Sequence, residues 1–154
     1  MSLASGVRTI CPEDSAEAAD VLARVMPDGP LERWLVPDPG ESLAFHRAVF
    51  IQLLKQAQAW GCTHVWGDPI VGVALWLERP AIGAAEGMSP AGDLRRSIEL
   101  STSARDRLDH FTKVMQRSRE RARPDRHAYL DSLAVLPKHR HQGIAGRLLD
   151  AGHG

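Results

Sequence analysis

Apolar residues recur along this chain in two spacings, and the change from one to the other marks out its elements. Val7 to Cys11, "VRTIC", has strand character. It runs into "PEDSAEAADVLARVM", where Pro12, Glu13 and Asp14 suit a helix start and Ala18, Val21, Leu22 and Val25 form a stripe at helical spacing. The next stretch, "PDGPLERWLVPDPGE", holds four prolines and two glycines, which forbid a long helix and leave one helical turn around Leu31 to Leu35. From Glu41 to Trp60, Phe50, Leu53, Leu54, Ala57 and Trp60 return at helical spacing and predict a second amphipathic helix.

The pattern then shortens. In "CTHVWGDPIVGVALWLERP" two β-branched and aromatic runs flank Gly67, Asp68 and Pro69, which predicts a hairpin. Ile70 to Leu77 has almost no polar residue, so that strand is expected to be covered on both faces. Residues 79 to 101 are rich in Gly, Ala and Pro and become weakly helical from Asp93 to Leu100. Ser103, with Asp106 three residues on, suits a helix cap, and Ala104, Leu108, Phe111 and Met115 mark the stripe that follows. Pro124 is expected to end that helix, "HAYLDSLAV" follows as a strand, and Gly143 to Ala151 opens another helix. There is no internal repeat. The alternation predicts one α/β domain over residues 1–154, of the α+β kind with a mixed sheet.

Composition narrows the function classes. A chain of 154 residues, 44% of them hydrophobic and 25% charged, has material for a real core. Lys plus Arg equals Asp plus Glu at 19 each, so no global field draws the protein to nucleic acid or to an anionic membrane, and any anion site is local. No apolar run approaches the roughly 20 residues of a membrane helix, and "MSLASGVRT" lacks a signal core, so the expected location is the cytoplasm. Cys11 and Cys62 are then expected to be reduced, as small core residues.

The sharpest signal is "SLAVLPKHRHQGIAGRLLDAGHG", residues 132 to 154. A strand ending at Val135, a loop with Lys138, His139, Arg140 and His141, and a helix opening at Gly143, Ile144, Ala145 and Gly146 would aim several free backbone N–H groups at one spot. Small residues at 143, 145 and 146 let a phosphate approach the backbone, while the helix dipole and Arg140 favour negative charge. An ordinary strand-to-helix connection with a solvated basic loop has the same spacing.

The segment "LAVLPKHRHQGIAGRLL" resembles the acetyl-CoA signature of the GCN5-related N-acetyltransferases (GNAT family): Arg or Gln, two residues, Gly, one residue, then Gly or Ala. Arg140, Gly143 and Ala145 fill those places. "HVWGDPIVGVALWLERP" and "HAYLDSLAVLP" are similar to the branch that includes puromycin N-acetyltransferase. The resemblance implies a GNAT fold and acetyl-CoA as co-substrate. It implies that backbone amides of His141, Gln142, Gly143, Ile144, Ala145 and Gly146 hold the pyrophosphate and that Leu133, Ala134 and Val135 pair with the pantetheine arm. It implies direct attack of a small-molecule amine on the thioester in a ternary complex, with a backbone N–H near Val135 polarising the carbonyl. A general base is still needed. Asp131 is the candidate, because strand alternation puts it on the face of Leu133 and Val135; a solvated or capping carboxylate is the alternative.

The chain departs from the family's pattern after this helix. Members continue with a further strand, a helix that often carries a tyrosine as general acid, and a last pair of strands, whereas here the one tyrosine is Tyr129. The expectation is a C-terminally truncated fold of about four strands, with a bare edge through which copies of the chain could associate. Other residues have two readings. His139, His141 and His153 suggest zinc, but His-x-His without nearby Cys or carboxylate is a weak ligand set, and no metal is expected. Arg117, Arg119, Arg121, Arg123 and Arg126 form either a nucleic-acid patch or, as favoured here, a solvated helix end. Trp34 and His46 either contact substrate or pack in the core. Two functions follow: an N-acetyltransferase of small amines, or a non-catalytic acyl-CoA-binding or interaction module.

Overall fold

Strand-forming runs separated by one tight turn and two helical segments pair into a single sheet. The computed structural model describes residues 6–60, 63–79, 100–122 and 125–153, with 59, 60 and 79 as backbone only. Strands β1 (Val7–Thr9), β2 (His64–Trp66), β3 (Gly72–Arg79) and β4 (His127–Val135) lie in that order in the sheet. The expected α/β layering is present, and within it the described strands pair antiparallel throughout rather than as a mixed sheet. The β2–β3 turn is the one read from Gly67 to Pro69. Gly67 has φ +90°, and a Cβ there would come within 2.9 Å of the Pro69 carbonyl, so glycine is required.

Helices α1 (Ser15–Val25) and α3 (Pro39–Trp60) fall where the apolar stripes predicted them, and α2 (Pro30–Leu35) is the short helical turn expected between the prolines. Asp38 starts α3: its Oδ1 accepts the Glu41 N–H at 2.8 Å, and Pro39 fills the first helical position, where no N–H is needed. Ala18, Leu22, Phe50, Leu54 and Ala57 of α1 and α3 meet Val65, Val73, Leu75, Leu77 and Ala134 in the main core on one face of the sheet. The side chain of Trp60, read as part of that stripe, is outside the described residues. Glu17 Oε1 accepts the Ile70 N–H at 2.9 Å and ties α1 to the hairpin turn.

Helix α4 (Thr102–Ala122) precedes β4, and α5 (Ile144–His153) follows it. The expected cap at Ser103 is corrected to Ser101. Its Oγ accepts the Ala104 N–H at 3.3 Å, the third helical N–H, which an N-cap hydroxyl one turn upstream reaches. Helix α5 covers the second face of the sheet, where Ile144 and Leu148 pack with Val71 and Ala74. β3 is therefore covered on both faces, as its apolar run predicted. The expectation of a core Cys11 is corrected as well. It is exposed, because the chain leaves the sheet there to start the turn at Pro12–Asp14. Cys62, the helical reading of 93–99 and Pro124 lie outside the described residues. Among the described residues no helix is long and apolar enough to cross a membrane.

A second, smaller core joins α2, the start of α3 and the start of α4 through Leu35, Val36, Phe45 and Ala104, with Leu108 and Phe111 packed against it. Two polar contacts hold α4 there. Arg107 Nε donates to the Leu35 carbonyl at 3.1 Å, and the Ser101 N–H donates to Glu41 Oε1 at 2.8 Å.

Candidate functional site

The loop between β4 and α5 is shaped by two residues with left-handed backbone. His141 has φ +63° and Gly143 has φ +77°, and together they turn the chain so that α5 starts beside the end of β4. The first N–H groups of α5 lack intrahelical acceptors, as at any helix N-terminus. A Cβ added to Gly143 or Gly146 would meet nothing within 4 Å, so these glycines border open space rather than packed protein. The residues present fit a pyrophosphate: small side chains, an N-terminal dipole of a helix of 10 residues, and His139, Arg140 and His141 beside them, with Lys138 exposed on the same loop.

This loop opens into a groove of about 500 Å³ lined by Val25, Leu133, Val135, His139, Arg140, His141, Gly143, Ile144 and Ala145. The structure thus brings together most of the residues read from the motif, and it adds Val25 of α1, which no local pattern announces. Ala134 lies apart from the groove, buried in the main core, as alternation along β4 demands. Gln142 and Gly146 are exposed at the start of α5. Arg140 Nε donates to the Val135 carbonyl at 3.0 Å, so one strand carbonyl assigned to pantetheine is engaged by the loop itself. A smaller hollow of about 240 Å³ borders Thr9, Ile10, Ala57 and Thr63 at the opposite edge of the sheet and has no ionisable side chain among its described lining.

At mid-strand the register breaks. Leu75 faces Ser132 and Trp76 faces Leu130, which leaves Asp131 as the extra residue of a β-bulge. Strict alternation from Leu133 therefore does not reach Asp131, which sits in the bulge, where the Ser132 Oγ donates to its Oδ2 at 2.9 Å. Ser132 is buried.

The remaining candidates separate. His46 is buried between Phe45 and Phe50, and its Nδ1–H donates to the Ser42 carbonyl at 2.7 Å, so it packs in the core. Trp34 is 47% exposed on α2. His153 leaves the basic loop altogether and packs edge-on against Trp76, and among the described residues no group of three His, Cys, Asp or Glu side chains converges on a metal position. Of the arginines, Arg126 pairs with Glu78, Arg119 lies over Tyr129 of β4, and Arg117 and Arg121 are exposed. Arg123 is outside the described residues.

Residues 109–152 match the model of the acetyltransferase (GNAT) family. A structure from Corynebacterium glutamicum, described as histone acetyltransferase HPA2 and related acetyltransferase, superposes with a TM-score of 0.60 at 25% identity over 99% of this chain and 70% of its own. The chain carries the GNAT acetyltransferase fold. Two other GNAT-fold structures support it: arylalkylamine N-acetyltransferase 2 from Aedes aegypti, with TM-score 0.62 and 15% identity over 97% of this chain and 68% of its own, and mosquito arylalkylamine N-acetyltransferase like 5b, with TM-score 0.58 and 16% identity over 99% and 69%. No curated protein matches the chain significantly. The matched GNAT segment runs from Asp109 in α4 through β4 and the loop into α5, and so contains the whole groove except Val25.

Proposed function

We propose that this protein transfers the acetyl group of acetyl-CoA to the primary amine of a small molecule. The observation that carries the reading is the groove in which the open glycine turn and the N-terminus of α5 stand beside the end of β4. Acetyl-CoA supplies the acetyl group as a thioester: the amine nitrogen bonds to the carbonyl carbon, the C–S bond breaks, and the thiolate leaves and takes up a proton. The residues of the chain do the positioning. The N–H groups at His141 to Gly146 hold the pyrophosphate, with Arg140 fixing the loop to Val135. The edge of β4 at Leu133 and Val135 orients the arm, and a strand N–H near the mid-strand bulge, within reach of Asp131, donates to the thioester oxygen, where charge builds up. Asp131 takes the proton that the ammonium must lose, directly or through water. Its position in the bulge supports this role, because a bulge re-aims a side chain and frees backbone groups where a strand meets a ligand.

Acetyl-CoA is expected to raise the melting temperature, and mixing it with a panel of primary amines is expected to release free thiol. A melting shift without thiol release from any amine would leave an acyl-CoA-binding module. Asp131→Asn is expected to lower the rate about 10- to 100-fold with little change in acetyl-CoA affinity, and the loss shrinks at high pH, where more amine is already neutral. Equal rates for the two proteins across pH would remove Asp131 as base.

A further inference from the structure

Arg119 is a partly buried guanidinium on the last turns of α4. Its Cζ stands 4.9 Å from the centre of the Tyr129 ring, and no carboxylate among the described residues pairs with it. The neighbouring charges are already engaged: Glu120 accepts from Gln116, and Arg126 pairs with Glu78. A cation held on an aromatic face keeps its N–H edge free for an acceptor in the ring's plane of approach, and a guanidinium fork fits an oxyanion with two parallel hydrogen bonds.

The position matters as much as the lack of a carboxylate partner among the described residues. The pyrophosphate loop lies beyond the Val135 end of β4, so an acyl-CoA arm laid along the strand brings its thioester toward mid-strand. An acceptor amine then approaches from the other end, where Tyr129 stands two residues before Asp131. Two residues of a regular strand span roughly 6–7 Å, and the bulge at Asp131 shortens that step. We propose that Arg119, held over Tyr129, receives the acidic group of the acceptor, and that the substrate is an amine carrying a carboxylate a few bonds from its nitrogen. This rests on the acetyl-transfer reading and adds the substrate class to it. Asp131 faces the ammonium and Arg119 the carboxylate, so the two protein charges are arranged opposite to those of a zwitterionic substrate.

The test compares straight-chain ω-amino acids with n-alkylamines of equal length and with the corresponding aminoalkyl phosphonates. The readouts are thiol release and, independently of turnover, binding to the CoA-loaded and the free protein by calorimetry. Amino acids of matching length are expected to exceed the alkylamines in kcat/KM and in affinity by roughly 10- to 100-fold, the effect of one charge-assisted bidentate contact. Arg119→Gln is expected to bring that ratio close to one, chiefly through KM. Arg119→Lys recovers part of it, and Arg117→Gln on the exposed face of the same helix keeps it. Phosphonates outranking carboxylates would replace the carboxylate by a phosphate-type group. An unchanged ratio in Arg119→Gln, or alkylamines preferred by the native chain, overturns the proposal. Failure of acetyl-CoA to bind would instead overturn the acetyl-transfer reading, while amino-acid binding to the free protein still decides the role of Arg119.

Discussion

The two ends of β4 are built on different principles. Beyond Val135 the end proposed to hold the cofactor is made of backbone: a left-handed turn, the start of one helix and small side chains, all within residues 139–146. Before Asp131 the other end is made of side chains from separate elements, with Arg119 of α4 over Tyr129 and α4 itself anchored on α2 by Ala104 and Arg107. A backbone site can be local because adjacent N–H groups already point the same way. A side-chain site needs distant segments to converge, so its chemistry is free to differ between proteins that share the cofactor end.

The largest effect separating the two ends is expected from Gly143→Glu. It forces a charged side chain into a left-handed turn and toward the pyrophosphate, and it should weaken acetyl-CoA by about 100-fold or more and erase the melting shift. Gly143→Asn tolerates the same φ, so a much smaller loss there would show that charge and bulk, rather than conformation, do the damage. An undiminished shift with Glu would break the comparison at its cofactor end.

Gly72→Leu tests how α5 is held. A Cβ at Gly72 would come within 3.0 Å of Ile144 and 3.1 Å of Leu148, so a larger side chain wedges the helix off the sheet. A cost of about 2–3 kcal/mol in urea denaturation is expected, together with weaker acetyl-CoA binding, because the cradle moves with α5. Stability lost without any change in binding would show that the loop holds its shape alone.

At the other end, Arg107→Ala removes the donor to the Leu35 carbonyl and is expected to cost about 1 kcal/mol. The acetyl-CoA melting shift should persist while the acceptor KM rises, since α4 carries Arg119. A changed shift with an unchanged acceptor KM would mean that the two ends are coupled through α4.

The smallest effect is a pH dependence. Burial in β2 lowers the pKa of His64 from its ordinary 6.5. The unfolded chain therefore takes up a proton near pH 6.5 that the folded chain refuses until lower pH, and stability falls as pH drops below about 6.5. Melting temperatures at about pH 7.5 and 5.5 should differ by more in the native protein than in His64→Phe. Equal differences would assign the pH dependence to other groups.

The helices α1 to α3, the hairpin and the glycine turn were legible because each is written in contiguous spacing: apolar positions at a helical period, Gly67 before a short turn, Gly143 where φ must be positive. The cap was misplaced by two residues because Ser101 and Ser103 are chemically equivalent in sequence, and only the start of α4 chooses between them. Cys11 was misread for a related reason. Its residue type favours burial, but the chain leaves the sheet there. The bulge at Asp131 had no sequence signal, since it exists only as a mismatch between two strands.

The sequence by itself determined the elements, the class of the fold and the open glycine turn that starts α5, because a helix period, a turn glycine and a helix N-terminus are properties of neighbouring residues. Only the tertiary structure decided that Val25 borders the groove, that His46 is core while Trp34 is exposed, that the register slips at Asp131 and that Arg119 stands over Tyr129. Each of these depends on which segments meet across the sheet, and that is settled by burying two apolar faces at once rather than by any local preference.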